Sequence, residues 1–343
     1  MEFSISPEMM FIHFSHFDQS LKCFPDKYHS LFFTKDGVIP QHFGYVCPIC
    51  VTNCFMVDKD GLHYTSDFSL DHFPPESSGG KLKMLVCKKC NSEAGHSYNF
   101  SLKEKLEHIS FNKKIPLSTL NAKSEITDVQ GWYHSAMTIR EDGETEISFK
   151  PNPKKKLPPL DDWIEESKNS FDWKANMTFG IPDDKKVSKS LLKAAYLYCF
   201  LNFGYEFIYS SNGEFFRKVL NGEVEYPITV PTFWLDHETK IHEDLALPVG
   251  LCFIQKPHNW QSLIINLSLT LKDTGYKCTV PILIPNPADT DFKQLIEVQK
   301  QIENNQEQEV SFVPLKNFLR ENIYDSYSQT WTAVMKEYGA TSL

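Results

Sequence analysis

The amino-acid sequence predicts an α+β protein, in which a small metal-binding module near the N-terminus precedes a larger domain built on an antiparallel sheet. Two Cys-x-x-Cys pairs, at residues 47–50 and 87–90, have the spacing of metal ligands. From about residue 228 onward, short β-rich runs alternate with turn residues and proline. Between these two regions, residues 188–203 carry apolar side chains at helical spacing. These three observations together predict the mixed class.

The composition is that of a globular protein, and the length of the chain fits two domains. The chain has 343 residues, of which 41% are hydrophobic and 23% are charged, so a wholly disordered, fibrous or collagen-like chain is excluded. The net charge of −9 excludes a uniformly basic nucleic-acid coat protein. No apolar run reaches the roughly 18–20 residues that a membrane helix needs, and residues 1–4 lack the features of a secretory signal. We therefore expect a cytoplasmic protein with no membrane partner.

The first part of the chain contains an irregular segment, the metal-binding module, a hairpin and a linker. Residues 1–45 are rich in aromatic side chains and histidine, and we expect an irregular segment packed on the residues after it. A hairpin is predicted at residues 135–150, because two alternating runs flank the turn signal Asp142-Gly143. Four prolines and three lysines at residues 151–159 then indicate a linker.

The second part of the chain is predicted to form an α+β domain with an antiparallel sheet. A helix is expected at residues 188–203, with Gly204 as its C-terminal stop. No motif with a recognisable chemistry comes after this helix, and residues 116–343 carry a net charge of −8 from 23 basic and 31 acidic residues. We therefore expect a regulatory or oligomerisation domain, which would bind a regulatory partner or a second copy of the chain. The predicted strands of this domain are residues 232–235, 250–254, 262–271 and 276–283, and its later helices are residues 292–301 and 324–338. The predicted domain limits are residues 1–115, residues 116–160 for the hairpin and linker, and residues 161–343.

The two cysteine pairs predict a zinc site. Cys47, Cys50, Cys87 and Cys90 supply four thiolates, and structural zinc takes four tetrahedral ligands of this kind. The nine cysteines of the chain are an odd number at low density, which does not fit a disulfide scaffold. A redox pair or coincidence is the alternative, and two pairs of identical spacing favour zinc. A zinc knuckle is by itself a structural staple and indicates no catalysis.

The segment between the cysteine pairs carries a second set of motifs. In chain order they are Asp71-His72 at the end of a predicted strand, Gly79-Gly80 in a loop, a strand at 82–86, Asn91 directly after the second cysteine pair, and Gly95-His96 on a predicted helix. In this order the segment resembles the HNH endonucleases, the zinc-containing branch of the ββα-metal, or His-Me finger, nucleases. The resemblance covers about residues 45–112, roughly a fifth of the chain. It implies a ββα-metal nuclease module with a four-cysteine zinc knuckle in the predicted N-terminal domain.

The resemblance implies catalytic roles for a few residues. His72 matches the general base of the family, and Asp71 and Asn91 match its metal-binding positions. The residue types suit these roles, because an imidazole titrates near neutral pH and hard oxygen ligands suit Mg²⁺, or Mn²⁺ in its place. Adjacent residues of a regular strand point to opposite faces, so we expect the strand to end at this dipeptide if both residues serve one site. His96 is a further candidate for metal or phosphate, with a helix-surface histidine as the alternative.

One departure from the family pattern concerns the orientation of the catalytic histidine. Many members have an asparagine five residues before the third knuckle cysteine, where it helps to hold that histidine. This chain has Leu82 at the corresponding position. Either a backbone carbonyl orients His72 instead, or activity is weakened. Asn91 also has an alternative role, as a cap of the helix after the knuckle.

The charge distribution favours a nucleic-acid partner near these motifs. Residues 81–114 contain eight lysines and three glutamates, a net charge of +5, which can meet a phosphate backbone. The alternative is a solvated helix face. The chain has only three arginines, so sequence-specific base reading is not expected. The candidate nucleic-acid contacts are Lys81, Lys83, Lys88 and Lys89.

The sequence therefore predicts a metal-dependent HNH endonuclease that hydrolyses phosphodiester bonds in DNA, with structural zinc and with Mg²⁺ held by Asp71 and Asn91. The resemblance implies a bacterial or phage context of defence, restriction or mobile elements. Two alternatives stay open. One is a non-catalytic zinc module that binds nucleic acid or a protein, and the other is an HNH nuclease that acts on RNA.

Overall fold

The structure, a computed structural model, describes residues 33–34, 37–38, 43–58, 61–64, 67–126, 132–150, 174–231, 234–236, 247–260, 262–287, 289, 291–304 and 309–315. Within these residues the protein is of the mixed α+β class with antiparallel sheets, as the sequence predicts. The strands are β1 (Phe33–Thr34), β2 (Gly37–Val38), β3 (Phe43–Val46), β4 (Cys54–Asp58), β5 (Gly61–Tyr64), β6 (Phe68–Phe73), β7 (Leu82–Cys87), β8 (Thr119–Ile126), β9 (Tyr133–Ile139), β10 (Thr145–Lys150), β11 (Ala175–Phe179), β12 (Leu235–Asp236), β13 (Gly250–Lys256), β14 (Leu263–Thr270), β15 (Lys277–Ile284) and β16 (Ser311–Pro314). The helices are α1 (Lys88–Ala94), α2 (Phe100–Asn112), α3 (Asp184–Tyr209), α4 (Ser211–Asn221) and α5 (Lys293–Glu303).

The strands within the described residues form five separate antiparallel arrangements. The largest sheet has five strands in the order β12–β15–β14–β13–β16, and a second sheet has four strands in the order β10–β9–β8–β11. Nearer the N-terminus, β3, β4 and β5 form a three-stranded sheet, whereas β1–β2 and β6–β7 are two-stranded. Strands β13 to β15 are largely buried, which explains the apolar runs that predicted them. The predictions of these three strands and of the helix at α5 are confirmed.

The hairpin predicted from Asp142-Gly143 is confirmed as β9 and β10, with Thr145 opposite Ile139. Gly143 has a φ of 84°, a conformation that glycine adopts without the steric cost of a Cβ. The hairpin does not stand alone, because β8 pairs with β9 on one side and with β11 on the other. The sheet therefore joins residues of the predicted middle segment to residues beyond the predicted linker.

Helix α3 is the central buried element of the fold. Its N-terminus is capped by Asp183, whose carboxylate accepts hydrogen bonds from two amide groups of the first turn, at Lys185 and Lys186. The helix predicted at 188–203 is thus present, and it begins four residues earlier. Gly204, the predicted stop, has φ 61° and ψ −149° and interrupts the helix rather than ending it. The chain resumes helical geometry up to Tyr209, because buried side chains on both sides of Gly204 hold it against the core.

One hydrophobic cluster contains residues from both predicted main domains. Helix α3 packs against β6 and α2 of the first half of the chain and against β14 and β15 of the second half. Within the described ranges, this cluster contains side chains from both sides of residue 115, and the pairing of β8 with β11 joins strands from both sides of residue 160. The domain limits at these two residues stay a prediction. A regulatory or oligomerisation role for the C-terminal part stays a prediction.

Several sequence-based predictions concern residues that the structure does not describe. These are most of residues 1–45, the linker at 151–159, the helix at 324–338 and the first two residues of the strand at 232–235.

Candidate functional site

The four cysteines of the two Cys-x-x-Cys pairs lie together. Their sulfur atoms are all within 4.8 Å of one another. The first pair lies on a tight turn, in which the Val51 amide donates to the Cys47 carbonyl at 3.0 Å. The second pair spans a strand end and a helix start, since Cys87 closes β7 and Cys90 lies in the first turn of α1. The hairpin β6–β7 therefore brings the second cysteine pair next to the first.

The geometry of this cluster can hold a metal ion such as zinc. The Sγ atoms of Cys50 and Cys87 are 3.8 Å apart. Thiolates about 2.3 Å from a tetrahedral zinc would be separated by about 3.8 Å. Hydrogen bonds with the Cys47 thiol lower the pKa of Cys87 to about 6 and lower the pKa of Cys50 as well. Burial raises the pKa of the Cys47 thiol, and hydrogen bonds with the other three cysteines raise the pKa of Cys90. Zinc binding to all four thiolates would therefore release protons from the cluster.

Tyrosines of helix α3 hold the first cysteine turn in place. The Tyr205 hydroxyl donates to the Val46 carbonyl at 2.7 Å and accepts from the Val46 amide at 2.8 Å. The Tyr196 hydroxyl donates to the Pro48 carbonyl at 2.5 Å. Sequence reasoning missed both tyrosines, because each contact spans about 150 positions of the chain. The cysteine cluster is therefore positioned by the second half of the protein as well as by its own hairpin.

A cavity of about 350 Å³ lies beside β6 and α1 and brings together three of the four predicted catalytic residues. Asp71, His72 and Asn91 all line it. The sequence predicts that the strand ends at the Asp-His dipeptide, but β6 continues one residue further, to Phe73. Asp71 lies opposite Met84 on β7, and His72 lies opposite Lys83. Asp71 is accordingly buried and His72 half-buried. The remaining lining residues are Leu70, Pro75, Glu76, Ser77, Gly95, Asn99 and Phe100.

Asp71 forms a buried ion pair that the sequence analysis did not predict. The Nζ atom of Lys193, on helix α3, contacts the Oδ2 atom of Asp71, and both residues are only 3% exposed. Burial raises the pKa of the Asp71 carboxyl above its ordinary value, and the Lys193 ammonium opposes this shift. The only sequence signal was a lysine within an otherwise apolar stretch, Leu191–Leu197 being buried throughout.

Asn91 bridges α1 and β6 through its amide nitrogen. That nitrogen donates to the Ser69 hydroxyl at 3.0 Å and to the Leu70 carbonyl at 3.1 Å. Both bonds use the Nδ2 atom, which leaves Oδ1 as the atom that can bind a cation. The two hydrogen bonds also fix the side chain relative to the strand that carries Asp71. The predicted ligand pair, Asp71 and Asn91, thus offers oxygen donors of the kind that Mg²⁺ binds.

His96 does not line the His72 cavity. Asn91, Gly95 and Asn99 follow one another at a spacing of four and face that cavity, as residues on one side of a helix do. His96 is one position further on, is exposed, and lines a different cavity of about 840 Å³ beside Cys50 and Cys90. The structure therefore does not bring His96 to the other three candidate residues.

Leu82, which stands where many family members have the asparagine that holds the catalytic histidine, is not the cross-strand neighbour of His72. Leu82 is opposite Phe73 rather than His72, and it is 39% exposed. Within the described part of the chain, the His72 imidazole has no hydrogen-bond partner. The backbone carbonyl that the sequence analysis offered as a substitute for the missing asparagine is therefore not found among these residues.

The glycines after the Asp-His dipeptide allow close backbone approaches. A Cβ on Gly80 would lie 1.6 Å from the Pro74 carbonyl oxygen, and Gly79 has a φ of 82° with Thr270 of β14 directly beside it. The loop therefore packs against the five-stranded sheet. On its outer side, Glu76 forms an ion pair with Lys272 at 3.3 Å. The rim of the cavity is thus also built from both halves of the chain.

Comparison with protein-family models, curated protein sequences and solved structures found no significant match. The resemblance to HNH nucleases therefore rests on the motifs and their order alone. The four lysines predicted to contact nucleic acid are exposed. Two of them have acidic neighbours, since Lys88 lies 3.9 Å from Asp67 and Lys89 lies 3.8 Å from Glu93. Among the described residues, no helix is both long and apolar enough to cross a bilayer.

Proposed function

We propose that this protein is a metal-dependent endonuclease of the HNH type that hydrolyses phosphodiester bonds in DNA. The observation that carries the proposal is the meeting of Asp71, His72 and Asn91 at one cavity, on a strand–strand–helix unit that also carries two of the four clustered cysteines. We propose zinc as the ion in that cluster, where it would staple the hairpin to the first cysteine turn.

His72 is the proposed general base. It is half-buried at the wall of the cavity, so water can reach its imidazole. A volume of about 350 Å³ has room for a phosphate group and several water molecules, each of which takes about 30 Å³ in the liquid. The imidazole would accept a proton from water while the water oxygen bonds to phosphorus and the bond to the leaving oxygen breaks.

Asp71 and Asn91 are the proposed ligands of a catalytic Mg²⁺ or Mn²⁺. Asp71 offers its carboxylate, which Lys193 also contacts, and Asn91 offers its carbonyl oxygen. A divalent ion at this place would supply positive charge that stabilises the leaving oxygen. His96, the further candidate for metal or phosphate, lies at the other cavity and is not included in the proposed ligand set.

Four exposed lysines of the same strand–strand–helix unit support a nucleic-acid substrate, although they are not among the lining residues of the His72 cavity and Lys89 lines the other cavity. Lys83 is the cross-strand neighbour of His72, and Lys81 precedes the same strand. Lys88 and Lys89 lie in the first turn of α1. These side chains can contact the phosphates that flank the reacting one. The cytoplasmic setting and the role in defence, restriction or mobile elements are part of the proposal through the motif resemblance alone.

Plasmid cleavage with Mg²⁺ or Mn²⁺ tests the proposal. We expect His72→Ala to lower the cleavage rate about 10²–10⁴-fold, the usual contribution of a general base. His134→Ala is the matched control, because His134 is an exposed histidine of β9 outside the cavity. Zinc content is measured on all three proteins, to separate loss of the base from loss of the fold. Equal cleavage by wild type and His72→Ala would contradict the assignment, and parallel reactions on RNA test the alternative substrate.

A non-catalytic zinc module is the second candidate, and two observations favour it. Asp71 is already neutralised by Lys193, and within the described residues no hydrogen bond orients His72. Such a module would bind nucleic acid or a protein without cutting either. Binding of DNA that is unaffected by His72→Ala, with no cleavage by the wild type under any of these metal conditions, would favour this candidate.

A further inference from the structure

The ion pair between Lys193 and Asp71 joins two residues that are 122 positions apart. The carboxylate is on β6 at the wall of the His72 cavity, and the ammonium comes from the central helix α3. Both side chains are nine-tenths or more buried. A buried charge is stable only when it is paired, so each of these two groups fixes the charge of the other.

The surroundings of Lys193 leave Asp71 as its direct anionic partner among the described residues. The Nζ atom also lies 6.0 Å from the centre of the Tyr98 ring, and its sequence neighbours Leu192 and Ala194 are buried and apolar. Glu76 is the other carboxylate at the cavity, but it is at the exposed rim and is paired with Lys272. Among the described lining residues, Asp71 is thus the one buried carboxylate, and its charge is already paired with the Lys193 ammonium.

We propose that Lys193 belongs to the cation site of this cavity, where its ammonium competes with a divalent ion for the Asp71 carboxylate. This inference rests on the metal site of the proposed function. Asp71 and Lys193 together carry no net charge, and Asn91 is neutral, so little electrostatic attraction is left to draw a divalent ion out of water. A substrate phosphate would supply the negative charge that these three residues lack. Divalent binding is therefore weak in the resting protein and is completed by a phosphodiester.

Direct measurement of Mn²⁺ binding tests the inference without any cleavage. Electron paramagnetic resonance distinguishes free from bound Mn²⁺ in a solution of the zinc-loaded full chain. Lys193→Met removes the competing charge and keeps most of the side-chain volume, and we expect it to bind Mn²⁺ at least tenfold more tightly than the wild type. Lys189→Met is the matched control, because Lys189 lies one turn earlier on the same helix and beside the same Tyr98 ring. The Mn²⁺ affinity of Lys189→Met should equal that of the wild type. Unchanged or weaker Mn²⁺ binding by a folded Lys193→Met would overturn the inference.

A measurement on the wild type covers the case in which Lys193→Met does not fold, since loss of one partner of a buried pair is strongly destabilising. Competition means that bound Mn²⁺ displaces the ammonium from Asp71. Acylation of Lys193 by a water-soluble amine reagent, followed by mass spectrometry, should therefore speed up at least fivefold when Mn²⁺ and a short DNA duplex are added. Acylation of Lys189 in the same sample is the internal reference. A rate at Lys193 that does not change relative to Lys189 would overturn the inference.

The two proposals can fail separately. Tighter Mn²⁺ binding by Lys193→Met in a protein that cuts neither DNA nor RNA supports the competition at Asp71 and removes the nuclease. Cleavage that depends on His72, with the same Mn²⁺ affinity in wild type and Lys193→Met, keeps the nuclease and reduces Lys193 to a structural counter-ion.

Discussion

The hydroxyl of Tyr205 makes two hydrogen bonds to the backbone of Val46, accepting from the amide at 2.8 Å and donating to the carbonyl at 2.7 Å. Both residues are fully buried. Val46 immediately precedes the first cysteine of the metal-binding cluster, and Tyr205 follows the interruption of α3 at Gly204. The helical segment that resumes after Gly204 therefore contributes to positioning the first cysteine turn, together with Tyr196 before the interruption.

Tyr205→Phe should destabilise the protein by about 1–3 kcal/mol, because a buried amide and a buried carbonyl lose one partner each. Chemical denaturation monitored by circular dichroism measures the change in the free energy of unfolding. Tyr198→Phe is the control, since Tyr198 is on the same helix and its hydroxyl makes no hydrogen bond with the described residues. Equal stability of the two variants would contradict the positioning role of Tyr205.

Cys87→Ala should abolish stoichiometric zinc binding, because three thiolates remain where a structural site uses four ligands. Elemental analysis of the purified protein measures the zinc content, with one ion per chain expected for the wild type. Cys278→Ala is the matched control, because Cys278 is buried in β15 and is not part of the cluster. Zinc retained in full by Cys87→Ala, or lost equally from both variants, would count against the cluster as the zinc site.

The features of the site that could be predicted from sequence are those carried by local spacing. Each Cys-x-x-Cys pair fixes two sulfurs on one turn, and the hairpin between the pairs places Asp71 near Asn91. Lys193 could not be assigned to the site, because a lysine in a buried helix implies an anionic partner without identifying it. The sequence also did not determine on which face His96 lies, since that depends on the π-helical geometry of Gly95–Asn99, which joins α1 to α2.

Gly80→Ala should destabilise the protein by about 1–3 kcal/mol, the usual range for overpacking. The added Cβ would lie 1.6 Å from the Pro74 carbonyl oxygen, so the loop between β6 and β7 must move. Gly180→Ala is the control, because its Cβ would meet nothing within 4 Å. The melting temperatures of both variants are compared with that of the wild type. A Gly80→Ala protein as stable as Gly180→Ala would show that the close approach at Pro74 is not a constraint.

Asn91→Ala and His96→Ala should differ sharply in the plasmid-cleavage assay, because only Asn91 faces the His72 cavity. Loss of Asn91 removes an oxygen donor and both hydrogen bonds to β6, and we expect cleavage to fall at least tenfold, the lower bound for a disturbed metal site. His96→Ala should cut within about twofold of the wild type, since surface substitutions of this kind have small effects. The sequence also leaves open the opposite outcome for His96, a metal or phosphate contact whose removal impairs cleavage. A large loss in His96→Ala with normal zinc content would therefore mean that the helix turns His96 toward the substrate, and that the arrangement of Asn91, Gly95 and Asn99 is not the working one.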